Sequence, residues 1–311
     1  MMKSGTHLVN ELLVALGYGM YGHVRVSEQT RPALDPDTRW RLAVMVYGPE
    51  SAASLKEQPE PAFNDATDRA WEALGWAWQA RLGIPLANLY GTELIETGLA
   101  GQAYRRTAGS SFAETPAGTC WVFHEFDLKK IDGNFLKEWS QTGEPRIIFN
   151  YRDPRDTIVS LVNFLCRRTR QGLSSFSNLQ VYSDILLAMP SQHERLTFAL
   201  TDASFPCQAS DFERMAWLLH HPDVCKVSFE ELVGPHGGGS ARAQADSAAR
   251  LIDFLGAGDV AGSDVAGTLY NRNAFSFYQG QIGAWQDAFT AEHRRIADEK
   301  LAGVLALYGY R

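Results

Sequence analysis

The stretch "PRIIFNYRDPRDTIVSLVNF", residues 145–164, restricts the fold more than any other part of the chain. Its first half is a short apolar run that ends in polar residues, as suits a strand buried on both faces of a parallel sheet. Asp153 then offers a side-chain cap. Pro154 fits the first turn of a helix, where its missing N–H costs nothing. A helix is predicted over "DPRDTIVSLVNFLCRRTRQG". A second strand–loop–helix unit reads "DVCKVSFEEL", "GPHGGGS", "ADSAARLIDFLG", and "TCWVFHEFD" reads as a further strand. Strands alternating with helices predict an α/β fold with a central parallel sheet covered on both faces.

Elsewhere the periodicity is helical. "HLVNELLVALG" carries apolar residues at 8, 9, 12, 13 and 16, with Gly17 placed to end the helix. "DATDRAWEALGWAWQARLG" puts Trp71, Leu74 and Trp78 on one side, as core residues, and "AEHRRIADEKLAGVLALYGY" is the last helix. "GPESAASLKEQPEPAF" reads as a surface loop and "GPHGGGS" as a flexible one. With no domain boundary evident, residues 1–311 read as a single domain.

Composition narrows the function. A formal net charge of −7 argues against a general binder of nucleic acid or anionic membrane. The cysteines at 120, 166, 207 and 225 form no CxxC pair, which argues against a zinc site and a disulfide scaffold and predicts reduced, buried thiols. No apolar run is long enough to span a bilayer and no secretory signal is visible, so a cytoplasmic enzyme with no membrane span is expected.

Three short segments carry chemistry. Lys3-Ser4-Gly5-Thr6 is a small-residue turn entering a helix, where backbone N–H groups and the helix dipole favour an anion. Taken alone it reads as an ordinary chain terminus. It lacks the first glycine of GxxxxGK[ST], so it is not a nucleoside-triphosphate loop. Arg152 closes a predicted strand and Ser160 lies on the second turn of the next helix. A planar fork and a hydroxyl suit a terminal phosphate, although an ion pair from Arg152 to Asp153 or Asp156 is the plain alternative. Arg167, Arg168 and Arg170 read as a solvated helix end. Near the C-terminus, "FYQGQIGAWQDAFT" suits a loop that folds over a ligand.

Together and in this order the segments resemble the sulfotransferases that use 3'-phosphoadenosine 5'-phosphosulfate (PAPS). Lys3 to Thr6 resembles that family's 5'-phosphosulfate loop, and "YRDPRDTIVSLVNF" its 3'-phosphate motif. "GQIGAWQDAFT" resembles its closing motif GxxGDWxxxFT, "VSFEELVGP" its (V/L)xYEDL segment, and "LYGY" its usual ending. The resemblance implies a three-layer, P-loop-like sulfotransferase fold and transfer of a sulfuryl group from PAPS to a small-molecule hydroxyl without a metal. Lys3 would then stabilise charge on the leaving oxygen, while Ser4, Gly5, Thr6 and His7 hold the 5'-phosphate. Arg152 and Ser160 would hold the 3'-phosphate, Phe229 and Trp285 would flank the adenine, and Gly280 belongs to the cover loop. His124, placed at a strand end, takes the role of general base, with Glu125 as the runner-up.

The chain departs from the pattern in places. Val122-Phe123-His124 replaces Lys-Thr-His, leaving Lys129 and Lys130 as substitutes for the absent lysine. Tyr278-Gln279-Gly280 replaces Arg-Lys-Gly, with Arg272 the nearest cation, and Ala284 replaces the aspartate before Trp285. No strand precedes the turn, which raises the expectation that the natural chain starts upstream of Met1. A non-catalytic relative that only binds nucleotide is the first rival reading. A nucleotide kinase, which needs a full P-loop and Mg²⁺, is the second. The acceptor pocket is expected to draw on residues 40–115 and 165–220.

Overall fold

A computed structural model describes residues 2–20, 34–83, 97–167, 177–272 and 279–310. Its contacts divide the chain into two compact units, one made of Met1–Leu16 with Arg146–Arg311 and the other of Gly17–Pro145. The first unit begins with α1 (Thr6–Ala15). The second contains β1 (Gly19–Met20), α2 (Pro36–Tyr47), α3 (Pro49–Lys56), α4 (Glu60–Arg81), α5 (Thr97–Thr107), β2 (Thr119–Cys120) and α6 (Gly133–Thr142). The chain then re-enters the first unit with β3 (Ile147–Tyr151), α7 (Pro154–Leu165), α8 (Ser177–Ala188), α9 (Gln192–Thr201) and α10 (Ala209–Glu213). It ends with β4 (Val224–Ser228), α11 (Phe229–Leu232), α12 (Ala241–Leu255), α13 (Gly262–Ala266), α14 (Ala284–Ala288) and α15 (Ala291–Leu307).

The architecture is α/β and mostly helical. Among the described residues the strands form two separate parallel pairs, β1 with β2 and β3 with β4. In the first unit the register runs from Ile147 opposite Val224 to Tyr151 opposite Ser228. Asp153 caps α7 by accepting from the Arg155 N–H, with Pro154 in the first turn, as the sequence predicts. Ile158, Leu161, Val162 and Leu165 of α7 are buried, and α7 meets α8, α9 and α15. α1 buries Leu8, Val9, Leu12 and Leu13, one face at a period near 3.6 residues.

In the second unit α4 carries the core. Trp71 and Trp78 are buried, and Trp78 meets Phe112, Trp121 and Phe135. Arg81 is 1 % exposed; its Nε pairs with Asp132 at 2.9 Å and its Nη1 donates to the carbonyls of Thr107 and Ser110, while Nη2 meets no acceptor among the described residues. Its guanidinium lies 4.2 Å from the centre of the Trp78 ring.

Three expectations need correction. "GPESAASLKEQPEPAF" is not a loop but contains all of α3 and the start of α4. Its prolines at 49 and 61 stand in first turns, where proline starts helices rather than breaking them. "TCWVFHEFD" forms a strand only over Thr119–Cys120. Its partner β1 offers two paired residues among those described, and a ladder extends no further than its partner. Beyond it, Trp121 packs at a tilt on Phe112, with ring centres 4.9 Å apart. "GPHGGGS" is ordered by its own backbone: the N–H of Gly239 donates to Gly234, and residues 235–237 make a 3₁₀ turn.

None of the four cysteines is in a disulfide; Cys207 and Cys225 are buried, while Cys120 and Cys166 are half-buried. Burial pushes the Cys120 and Cys207 thiols up to about 12, so neither is a thiolate near neutrality. No helix among the described residues is long and apolar enough to cross a membrane.

Candidate functional site

Residues 3–5 form a tight turn before α1, with Lys3 at φ 57° and Gly5 at φ 86°. Left-handed backbone at Gly5 suits a residue without Cβ, and space demands it too. A Cβ there would stand 2.5 Å from Cδ2 of Phe229. Ser4 is fully buried and is held from β3: the Asn150 amide donates to the Ser4 carbonyl at 3.1 Å and meets its hydroxyl at 3.0 Å. The Lys3 ammonium lies 4.5 Å from the ring centre of Phe164 on α7. β3 and α7 therefore brace the turn.

Arg152, just past β3, is 5 % exposed. Its guanidinium stacks on Phe229 at 4.1 Å. Nη2 donates to the Gln281 carbonyl at 2.5 Å and pairs with Asp156 at 3.3 Å, so the plain ion pair anticipated from sequence is present. Nε is buried and meets no acceptor among the described residues. The Thr6 hydroxyl at the start of α1 is also buried and meets no partner among the described residues. Buried donors are seldom left unmatched, so both groups call for an explanation. Phe229 is itself buried, packed by Arg152 and Gly5. His7 and Ser160 are half-buried, on the first turn of α1 and the second turn of α7.

The closing segment lies against this corner. Asp156 accepts from the N–H groups of Gly283 at 2.8 Å and Trp285 at 2.9 Å. The half-buried Trp285 ring is covered by the Arg155 guanidinium, 3.9 Å from its centre. Gly280 takes φ 60°, and its carbonyl would stand 2.4 Å from a Cβ at Gly237. The Ile282 N–H donates to the Gly237 carbonyl at 2.9 Å. On the other side of the corner, Glu230 accepts from the Asp153 N–H at 3.2 Å and from the Tyr310 hydroxyl at 2.7 Å, and its burial pushes the carboxyl above its ordinary range.

All the residues proposed for the nucleotide, Lys3 to His7, Arg152, Ser160, Phe229, Gly280 and Trp285, belong to the first unit. His124 and Glu125 belong to the second. Both are exposed, in irregular chain rather than at a strand end, because β2 stops at Cys120. Glu125 pairs with Lys130 at 2.9 Å. Arg272 is exposed beside Tyr270, 6.0 Å from its ring centre, in an open cleft also lined by His236. Arg168, Arg170 and Tyr278 lie outside the described residues. Asn150, Asp156 and Gln281 are functional candidates that sequence reasoning passed over. A polar residue inside an apolar strand signals the first, and an acid at the third helical position the second. Nothing local marks Gln281.

Comparison with known protein families found none that matches the chain, and no curated protein matches it.

Proposed function

We propose that the protein is a PAPS-dependent sulfotransferase acting on a small-molecule hydroxyl. The observation that carries this reading is the convergence at Phe229 of the opening turn and Arg152, two segments far apart in the chain, each with a buried and unmatched donor. Two donors of this kind suit a ligand with separated anionic groups, as in a nucleoside bisphosphate. The β3–β4 pair with its helices is the part of the proposed three-layer sheet fold on which the site stands.

In this reading the amides of Ser4 to His7 and the Thr6 hydroxyl bind the 5'-phosphate, and Lys3 stabilises charge on the bridging oxygen. Arg152 and Ser160 bind the 3'-phosphate. PAPS supplies the sulfuryl group, and the chain supplies position and charge. The acceptor's proton goes to His124, or failing that to Glu125.

The test is radiolabelled sulfate transfer from PAPS to a panel of phenols, alcohols and hydroxylated lipids, with wild type and His124→Ala. Labelled product from wild type and a loss of about 10²–10⁴-fold in the variant are expected. Nucleotide binding without transfer to any acceptor favours the non-catalytic rival. Phosphoryl transfer from ATP with Mg²⁺ favours the kinase.

A further inference from the structure

The buried acid Asp156 has more partners than a helix cap needs. Its side chain is 1 % exposed, and each carboxylate oxygen accepts one backbone N–H of the closing segment. Oδ2 also faces Arg152. The Gln281 carbonyl, two residues before Gly283, accepts from the same Arg152 nitrogen. One carboxylate thus ties together the start of α7, the start of α14 and the guanidinium. With Nη2 committed to Asp156 and Gln281, Nε is the buried Arg152 donor left without an acceptor among the described residues.

We propose that Asp156 is a positioning residue that couples the closing segment to the anion-binding arginine. It fixes the plane of Arg152 so that Nε remains available to a phosphate, and it holds residues 281–285 in the closed arrangement. The inference rests on the sulfotransferase reading for the identity of the anion. The latch itself rests only on contacts within the first unit.

Asparagine at 156 keeps the shape but replaces one acceptor oxygen by a donor and removes the charge that faces Arg152. Two measurements on the full chain test the idea. The first is amide exchange of the unliganded protein, where Asp156→Asn speeds exchange at Gly283 and Trp285 at least tenfold and leaves α12 unchanged. The second is calorimetric binding of adenosine 3',5'-bisphosphate and adenosine 5'-phosphate. Asp156→Asn should weaken the bisphosphate tenfold or more and the monophosphate less than threefold. In an Arg152→Ala background the same change should cost less than threefold more, because coupled groups are not additive. Asp156→Glu, which keeps the charge, should fall between wild type and Asp156→Asn, and it serves if the asparagine variant does not fold.

Unchanged exchange at Gly283 and Trp285 overturns the latch whatever the ligand. Equal weakening of both nucleotides, or full additivity with Arg152→Ala, overturns the coupling and leaves a structural role only. Wild-type protein that binds the two nucleotides equally, with exchange at Gly283 and Trp285 still dependent on Asp156, overturns the nucleotide reading and not the latch.

Discussion

Replacing Asn150 by alanine should loosen the opening turn and destabilise the first unit. The Asn150 amide serves two atoms of the fully buried Ser4, its carbonyl and its hydroxyl. Alanine leaves both without that partner. A buried polar group left unsatisfied costs about 1–3 kcal/mol. The serine hydroxyl can rotate toward another acceptor, so the low end applies to it. The sum is about 2–4 kcal/mol, a large part of a total stability of roughly 5–15 kcal/mol. For a unit of this size the melting temperature falls by about 4–16 °C. Urea unfolding gives the free energy, and amide exchange at residues 4–7 shows where it is lost. Asn150→Asp is the companion variant: it loses the amide donor that serves both Ser4 atoms and turns an anion toward the Ser4 carbonyl, so it should be no more stable than alanine. A change below about 0.5 kcal/mol for Asn150→Ala, with exchange at residues 4–7 unaltered, would show that β3 does not brace the turn.

Gly5→Ala should cost roughly 2–5 kcal/mol, from left-handed backbone on a residue with a Cβ and from the 2.5 Å approach to Phe229; a urea midpoint equal to wild type would contradict the turn geometry. Acidification should destabilise the first unit through His293, whose burial lowers its pKa from 6.5 and whose Nδ1 accepts from the Thr290 N–H at the start of α15. Below pH 6.5 the unfolded chain takes the proton more readily than the folded one, so stability falls by up to about 1.4 kcal/mol per pH unit until the lowered pKa is reached. His293→Gln should flatten that slope in urea titrations between pH 7.5 and 5, and an identical slope in the variant would place the titration elsewhere.

Sequence alone determined the elements whose signals are local. The cap at Asp153, the proline at 154, the apolar face of α1 and the alternation of strand and helix around β3 and β4 each depend on a few neighbouring residues, and all are present. The Trp71–Trp78 face of α4 was legible for the same reason. Where the signal was ambiguous, sequence misled: Pro49 and Pro61 mark helix starts as readily as loops. Strand length over "TCWVFHEFD" depends on a partner a hundred residues away, which no local pattern encodes. The candidate site belongs to the same category. That Gly5 and Arg152 meet at Phe229, that Asn150 holds Ser4, and that Asp156 holds Gly283 and Trp285 are facts of tertiary packing. A hydrogen bond across more than a hundred residues leaves no period in the sequence, because the chain between its ends is free to vary while the fold keeps those ends together.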